Sequence, residues 1–441
     1  MTEKHNKLGL WSIVLLGFNS IIGSGIFLLP ASLYQFAGDW SVAIVFITGA
    51  IVATIALCFA EAAGYFSKNG AAYVYTKEAF GRFAGFEVGF LKWFMQCIAW
   101  AVMAVAFKNI LSSTFGFADN ILLCNLIVVG TVLSLTCINL FGVSAAKVVN
   151  NISTIAKMIP LVFLIVVGIW YITPQNIIPS ANVTPTYSLN SETIISALIL
   201  AFYSFTGFET FGTAAEDMEN PKKNLPRAIC LSLGIVMMFY GLVMAVTVGV
   251  LGEAVADSGT PLADAARVVS GEFGFWLITI GSVISIAGIN VAASFHIPRA
   301  LLPLADDKMI PQFFGSKTKS GVPAAAIIAS AIVTVPIALS GSFTELAMLS
   351  VVARFAQYIP TCISVLIFRK RFANDNQAKS SFRAPFGPAL PILAVFICLV
   401  LLSDQELSKI LIGLAFMVAI SPLYFFSRKR ATLPSKTTAQ S

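Results

Sequence analysis

Apolar residues in this chain come in long unbroken runs, neither alternating as in a half-buried strand nor confined to one helical face. Twelve runs can be read, at about 9–33, 41–65, 84–112, 120–140, 146–171, 192–215, 228–251, 274–302, 322–340, 345–368, 389–403 and 407–427. Most reach the roughly 20 residues a helix needs to cross a hydrocarbon core about 30 Å thick. The pattern predicts an all-α polytopic membrane protein with twelve transmembrane helices, a tail at 1–8 and another at 428–441. The first run lacks a small-residue cleavage site near its end, so it is expected to stay as a span and not leave as a signal peptide.

Composition supports lipid as the solvent. The chain is 57% apolar and only 11% charged, whereas soluble domains carry about 25% charged residues. That excludes an ordinary soluble enzyme, a secreted disulfide scaffold and a disordered chain. The net charge of +7 comes from short clusters between runs, among them Lys222-Lys223, Arg369-Lys370-Arg371 and Arg428-Lys429-Arg430. With the N-terminus inside, the loops on the inner side hold nearly all the bases, and the outer side little beyond Arg267 and Lys409. Both termini are therefore expected in the cytoplasm of a protein of the plasma (inner) membrane. No basic groove interleaved with aromatics suggests nucleic acid. The seven Cys lie in or beside apolar runs without a C-x-x-C pair, which reads as buried reduced thiols.

Two runs carry interruptions. The first reads Asn19-Ser20-Ile21-Ile22-Gly23-Ser24-Gly25-Ile26-Phe27-Leu28-Leu29-Pro30, and the sixth reads Tyr203-Ser204-Phe205-Thr206-Gly207-Phe208-Glu209-Thr210-Phe211. Glycines at mid-membrane depth weaken a helix and leave its backbone approachable. Ser20, Gly23 and Phe27 match Ser204, Gly207 and Phe211 in spacing, and each segment opens a set of five runs. Since five is odd, the two sets face opposite ways, as in an inverted repeat with its binding site near the midplane. Free N–H groups after Gly23 suit a carboxylate, and opposing carbonyls suit an ammonium, so a zwitterion is the natural ligand. The other reading of these glycines is close helix packing.

At these residues the chain resembles the amino acid–polyamine–organocation (APC) transporter superfamily, of LeuT-like fold. The resemblance rests on G-S-G-I-F-L-L-P (Gly23 to Pro30), F-T-G-F-E (Phe205 to Glu209) and the loop Glu216 to Ile229. Gly70 to Tyr75, Pro298-Arg299 with Asp306 to Pro311, and Arg383-Ala384-Pro385 add to it. It implies a 5+5 inverted repeat over 9–171 and 192–368 with broken helices 1 and 6, two additional helices at 389–427, and alternating-access transport. It further implies that N–H groups of Ser24, Gly25 and Ile26, beside Gly23, hold the substrate carboxylate. Carbonyls of Ile21, Tyr203 and Thr206 would hold the ammonium, with Phe202, Tyr203 and Phe208 as an aromatic gate. In related sodium-independent members a lysine placed as Lys157 resembles a built-in substitute for sodium.

Ionisable groups inside a membrane are costly and are functional candidates by default. Lys157 would brace the first break or carry a proton. Its alternative is snorkelling to the inner interface. Glu209, directly after the second break, would gate, bind a proton or pair with a base. Lys92 and Arg354 are candidate cavity charges that would otherwise pair with Glu61, Glu87 or Glu209. Glu61 reads as structural, Lys108 as snorkelling, and His296 as packed or capping. The bases argue against a polyamine, favour neutral amino acids and leave acidic ones open.

The expectation is a sodium-independent exchanger or proton-coupled permease for neutral amino acids, with no metal or cofactor, as monomer or homodimer. Transport of acidic or basic amino acids or polyamines is the alternative in the same fold, and a transporter-like amino acid sensor the alternative of another class. No catalytic cluster points to an enzyme.

Overall fold

The regular elements among the described residues are helices. The computed structural model describes residues 9–66, 71–141, 146–177, 190–211, 218–318, 321–374, 380, 382–403, 405, 415 and 417–425. The two tails, Gly70, Glu216, the clustered bases Arg428 to Arg430, Lys409 and most of the expected twelfth span lie outside them.

The first run is two helices, α1 (Leu10–Ile21) and α2 (Gly25–Ala37), followed by α3 (Ser41–Tyr65), α4 (Ala72–Phe80), α5 (Arg82–Phe115), α6 (Ile121–Leu140) and α7 (Ala146–Gly168). Then come α8 (Ser191–Phe205), α9 (Pro221–Leu251), α10 (Pro261–Arg299), α11 (Leu302–Asp306), α12 (Ala324–Leu339), α13 (Phe343–Arg371) and α14 (Ala389–Ser403). Among the described residues, 8 segments are long and apolar enough to cross a membrane, and α12 and α14 are shorter apolar helices. Local signals fix several ends. Asn190 and Ser342 close capping boxes with Thr193 and Glu345, while Pro221 and Pro261 start α9 and α10 where no N–H donor is needed.

Two differences from the sequence reading have local causes. The run expected to begin at 274 belongs to α10, which starts at Pro261 and is broken where Gly271 adopts φ 64°. Its first part contains Asp264 and Arg267, so hydropathy alone hides it. The stretch after Tyr65, read only as a loop motif, contains α4, a helix whose Lys77 and Glu78 interrupt its apolar residues.

The helices pack with α3 on α9, α7 on α10, α5 on α13, α1 on α9 and α2 on α8. Side chains such as Trp170, Leu122, Ile332 and Phe396 project outward from this bundle, as expected where lipid is the neighbour. Polar ties sit inside. Glu61 takes a forked pair of hydrogen bonds from Arg369 at 2.7 and 2.5 Å and a third from the Ala384 N–H at 2.8 Å. It joins α3, α13 and the segment before α14, in keeping with a structural role.

At the end of the bundle carrying α4, Asp307 accepts hydrogen bonds from Tyr73 and, at 2.5 Å, from Lys77. Arg82 donates to the Asp307 carbonyl at 2.9 Å. Burial alone pushes the Asp307 carboxyl up, but the hydrogen bonds from Lys77 and Tyr73 and the charges of Lys77 and Arg82 hold it below the usual range. A depressed carboxylate contributes stability above its unfolded pKa, about 4, and loses it as pH falls through the folded value. Asp307→Asn is therefore expected to lower the melting temperature of the purified protein at pH 7, with the gap from wild type closing in acid. Equal melting at pH 7 would count against this tie.

The two helix breaks and the charges around them

Backbone geometry puts both interruptions where the sequence predicts them. α1 ends at Ile21, the ψ of 97° at its cap Ile22 leaves the helical region, and α2 restarts at Gly25 with Ser24 at its cap. α8 ends at Phe205, a turn follows at Thr206-Gly207, and residues 208–211 form one 3-10 turn.

The two breaks cross in contact. A Cβ on Gly207, which holds φ +115°, would lie 2.6 Å from the Ser20 carbonyl oxygen, and one on Gly25 would meet the Ser204 Cα at 3.3 Å. Each glycine thus admits the other segment's backbone, and the serines matched in spacing are the ones they admit. Close packing and an interrupted helix are both satisfied by the same glycines. A hydrogen bond of 3.0 Å between Ser24 Oγ and the Tyr203 hydroxyl spans the crossing.

Every candidate site residue lies among the described residues. Lys157, on α7, is 1% exposed and its Nζ donates to the Ile22 carbonyl at 2.7 Å. The ammonium therefore sits on the break instead of snorkelling. Nearby, the Tyr240 hydroxyl donates to the Ile21 carbonyl at 3.1 Å. The Tyr203 carbonyl accepts from both the N–H and the hydroxyl of Thr206, at 3.2 and 2.7 Å. Phe202 and Phe208 are fully buried and both stack on Tyr358. Tyr203 instead meets Phe343 edge-on at 5.9 Å. Ser24 and Ile26 are buried, while Gly23 is partly exposed.

Two of the remaining charges meet at the second break. Glu209 is paired with Arg354, and its other carboxylate oxygen accepts from the Gly207 N–H at 2.9 Å. Arg354 also acts electrostatically on Tyr203, Tyr358 and Lys92. Of the three partners open to it from sequence, Arg354 takes Glu209. Lys92 takes none of them. Glu61 is held by Arg369, and Glu87 accepts from Ser421 at 2.9 Å. Lys108 is half-buried, and His296, expected to be packed or capping, is exposed with its ring edge-on to Phe295.

Sequence reading missed Tyr240, Phe343, Gln96, Trp100, Gln357 and Tyr358. For Gln96, Trp100, Gln357 and Tyr358 a signal was present. Lys92, Gln96 and Trp100 recur every four residues in one apolar run. Gln357 and Tyr358 follow Arg354 by three and four residues in another, so each set marks one helix face. Both faces are largely buried.

Apolar helices enclosing ionised side chains at two crossed, unwound segments define a membrane transporter. The amino acid permease family profile matches residues 8–424, and the chain belongs to that family, within the APC superfamily. An uncharacterized transporter of Mycobacterium tuberculosis is 34% identical over 445 residues, covering 95% of this chain and 91% of its own. The serine/threonine exchanger SteT of Bacillus subtilis is 28% identical, with 96% and 97% covered. The methylthioribose transporter of the same organism is 26% identical, with 97% and 94% covered. The family and these relatives are transporters, not enzymes.

Proposed function

We propose that this protein is a sodium-independent secondary transporter that moves amino acids across the plasma membrane by alternating access, as an exchanger or a proton-coupled permease. The observation that carries this is the Lys157 ammonium seated on the Ile22 carbonyl. A fixed cation there neutralises the carbonyl end of a broken helix, which is the task a bound sodium ion would otherwise perform.

In this reading the N–H groups of Ser24, Gly25 and Ile26, beside the open Gly23, hold the substrate carboxylate at the start of α2. The ammonium lies against carbonyls of Ile21, Tyr203 and Thr206. Because the Tyr203 carbonyl already accepts twice, the Ile21 and Thr206 carbonyls take most of this role. Phe202, Tyr203 and Phe208 close over the substrate, with Tyr203 moving most directly since its hydroxyl spans the crossing. The architecture is twelve helices, with five-helix repeats over 9–171 and 192–368 facing opposite ways, two further helices at 389–427, and both tails cytoplasmic. The working unit is a monomer or homodimer.

A neutral side chain is the first reading of the substrate, and it agrees with the name of the serine/threonine relative, whose named substrates carry uncharged side chains. An acidic side chain is the second, favoured by the buried Lys92. The test is a counterflow screen of all amino acids, simple amines and methylthioribose in proteoliposomes. Exchange of zwitterionic amino acids, unchanged when choline replaces sodium, is expected. A response confined to amines, or one that needs a sodium gradient, would overturn the proposal.

A further inference from the structure

Lys92 lies inside the bundle, 6% exposed, and its ammonium forms no hydrogen bond or ion pair among the described residues. The buried carboxylates among the described residues are engaged elsewhere. Glu209 faces Arg354 and Glu61 faces Arg369. Glu87, five residues back on the same helix, points about 140° around it and binds Ser421. The guanidinium of Arg354 is the charge that acts on Lys92. Two cations and one carboxylate therefore share the apolar interior beside the second break, with one positive charge left over. An uncompensated charge in such surroundings is strongly unfavourable.

The same wall holds polar atoms without partners among the described residues. On α5 these are Gln96 Oε1 and Trp100 Nε1, and on α13 they include Arg354 Nε, Gln357 Oε1 and the Tyr358 hydroxyl. Buried polar groups in folded proteins are nearly always hydrogen-bonded. α5 and α13 pack together, so Lys92, Gln96 and Trp100 on one helix and Arg354, Gln357 and Tyr358 on the other line a shared face. That face adjoins the break, because Arg354 reaches both Glu209 and the electrostatic neighbourhood of Tyr203.

We infer that Lys92, with Arg354 beside it, forms a subsite for a carboxylate on the substrate's side chain, so that the transporter accepts acidic amino acids and holds them more tightly than their amides. The inference rests on the transport reading above, with the α-groups of the substrate at the breaks. A carboxylate supplies the missing negative charge and accepts from the Lys92 ammonium and the free Arg354 N–H. An amide of the same shape does neither as well. Hydrogen bonds to charged groups are the stronger kind, and losing the charge on one partner reduces binding about tenfold or more.

The experiment uses the full chain in proteoliposomes and compares pairs that differ only in charge, L-glutamate with L-glutamine and L-aspartate with L-asparagine, as competitors of exchange. In at least one pair the wild type is expected to favour the acid by about tenfold or more. Lys92→Arg should keep that preference, and Lys92→Met should bring the acid-to-amide ratio to one or below. Because the ratio is read within each variant, a lower yield of folded Lys92→Met does not change it. Equal affinity for acid and amide in the wild type overturns the subsite, as does an unchanged ratio in Lys92→Met. Exchange of neutral amino acids alone sinks the subsite and leaves the transport reading standing. Exchange of no amino acid at all brings down both.

Discussion

Lys157→Met is expected to remove most transport while leaving the protein folded. Methionine matches the length of the lysine stem and fills the same buried space, so packing between α7 and the break is largely kept. What disappears is the charge and the 2.7 Å hydrogen bond to the Ile22 carbonyl. A buried carbonyl deprived of a charged donor costs about 1–3 kcal/mol, and here the cost falls on the backbone that would hold the substrate. Substrate affinity should therefore fall by about tenfold or more, with flux falling alongside it. Isotope exchange in proteoliposomes, with size-exclusion profiles as the check on folding, measures both. Wild-type rates in the Lys157→Met variant would end the claim that this lysine supports the break. Restoration of the variant by sodium would show instead that the site accepts an external cation.

Glu209→Gln is expected to be the most destabilising single change at the site. Glutamine keeps the shape of the side chain and can still meet the Gly207 N–H, but it removes the negative charge facing Arg354. Arg354 and Lys92 then remain together in the interior without a counter-charge. Breaking a buried ion pair from one side costs about 3–5 kcal/mol. Adding Lys92→Met to Glu209→Gln removes one of the two stranded cations and should restore part of the loss, so the double variant melts above the single one. Thermal unfolding of detergent-purified protein gives the comparison directly. If Glu209→Gln melts with the wild type, the pair contributes nothing to the fold. If the double variant melts no higher than the single one, Lys92 is not part of the same electrostatic cluster.

These two residues differ in how far the sequence could take them. Lys157 stands in an apolar run beside a recognisable motif, and burial of a lone lysine is costly enough to make it a candidate from the sequence alone. Glu209 was equally visible, but its partner was not. Arg354 lies 145 residues away, and three carboxylates were open to it. α4 was missed for a different reason, since a short helix with Lys77 and Glu78 in it carries too little apolar signal to stand out from a loop.

Periodicity and composition determined what depends on neighbours along the chain: the long apolar helices, the glycine interruptions after Ile22 and after Thr206, and the short list of ionisable residues in lipid. α3, for one, spans Ser41–Tyr65, as its apolar run predicts. Only the tertiary structure decided which of those groups meet. It crossed the two breaks through Gly25 and Gly207, set Lys157 on the Ile22 carbonyl, gave Glu209 to Arg354 and left Lys92 among unpartnered polar atoms. The physical reason is that an apolar run reports how each helix is solvated, which is a local property. Charge pairing is fixed by how helices are oriented around one another, and in a bundle where lipid and protein are both apolar, hydrophobicity carries no record of that orientation.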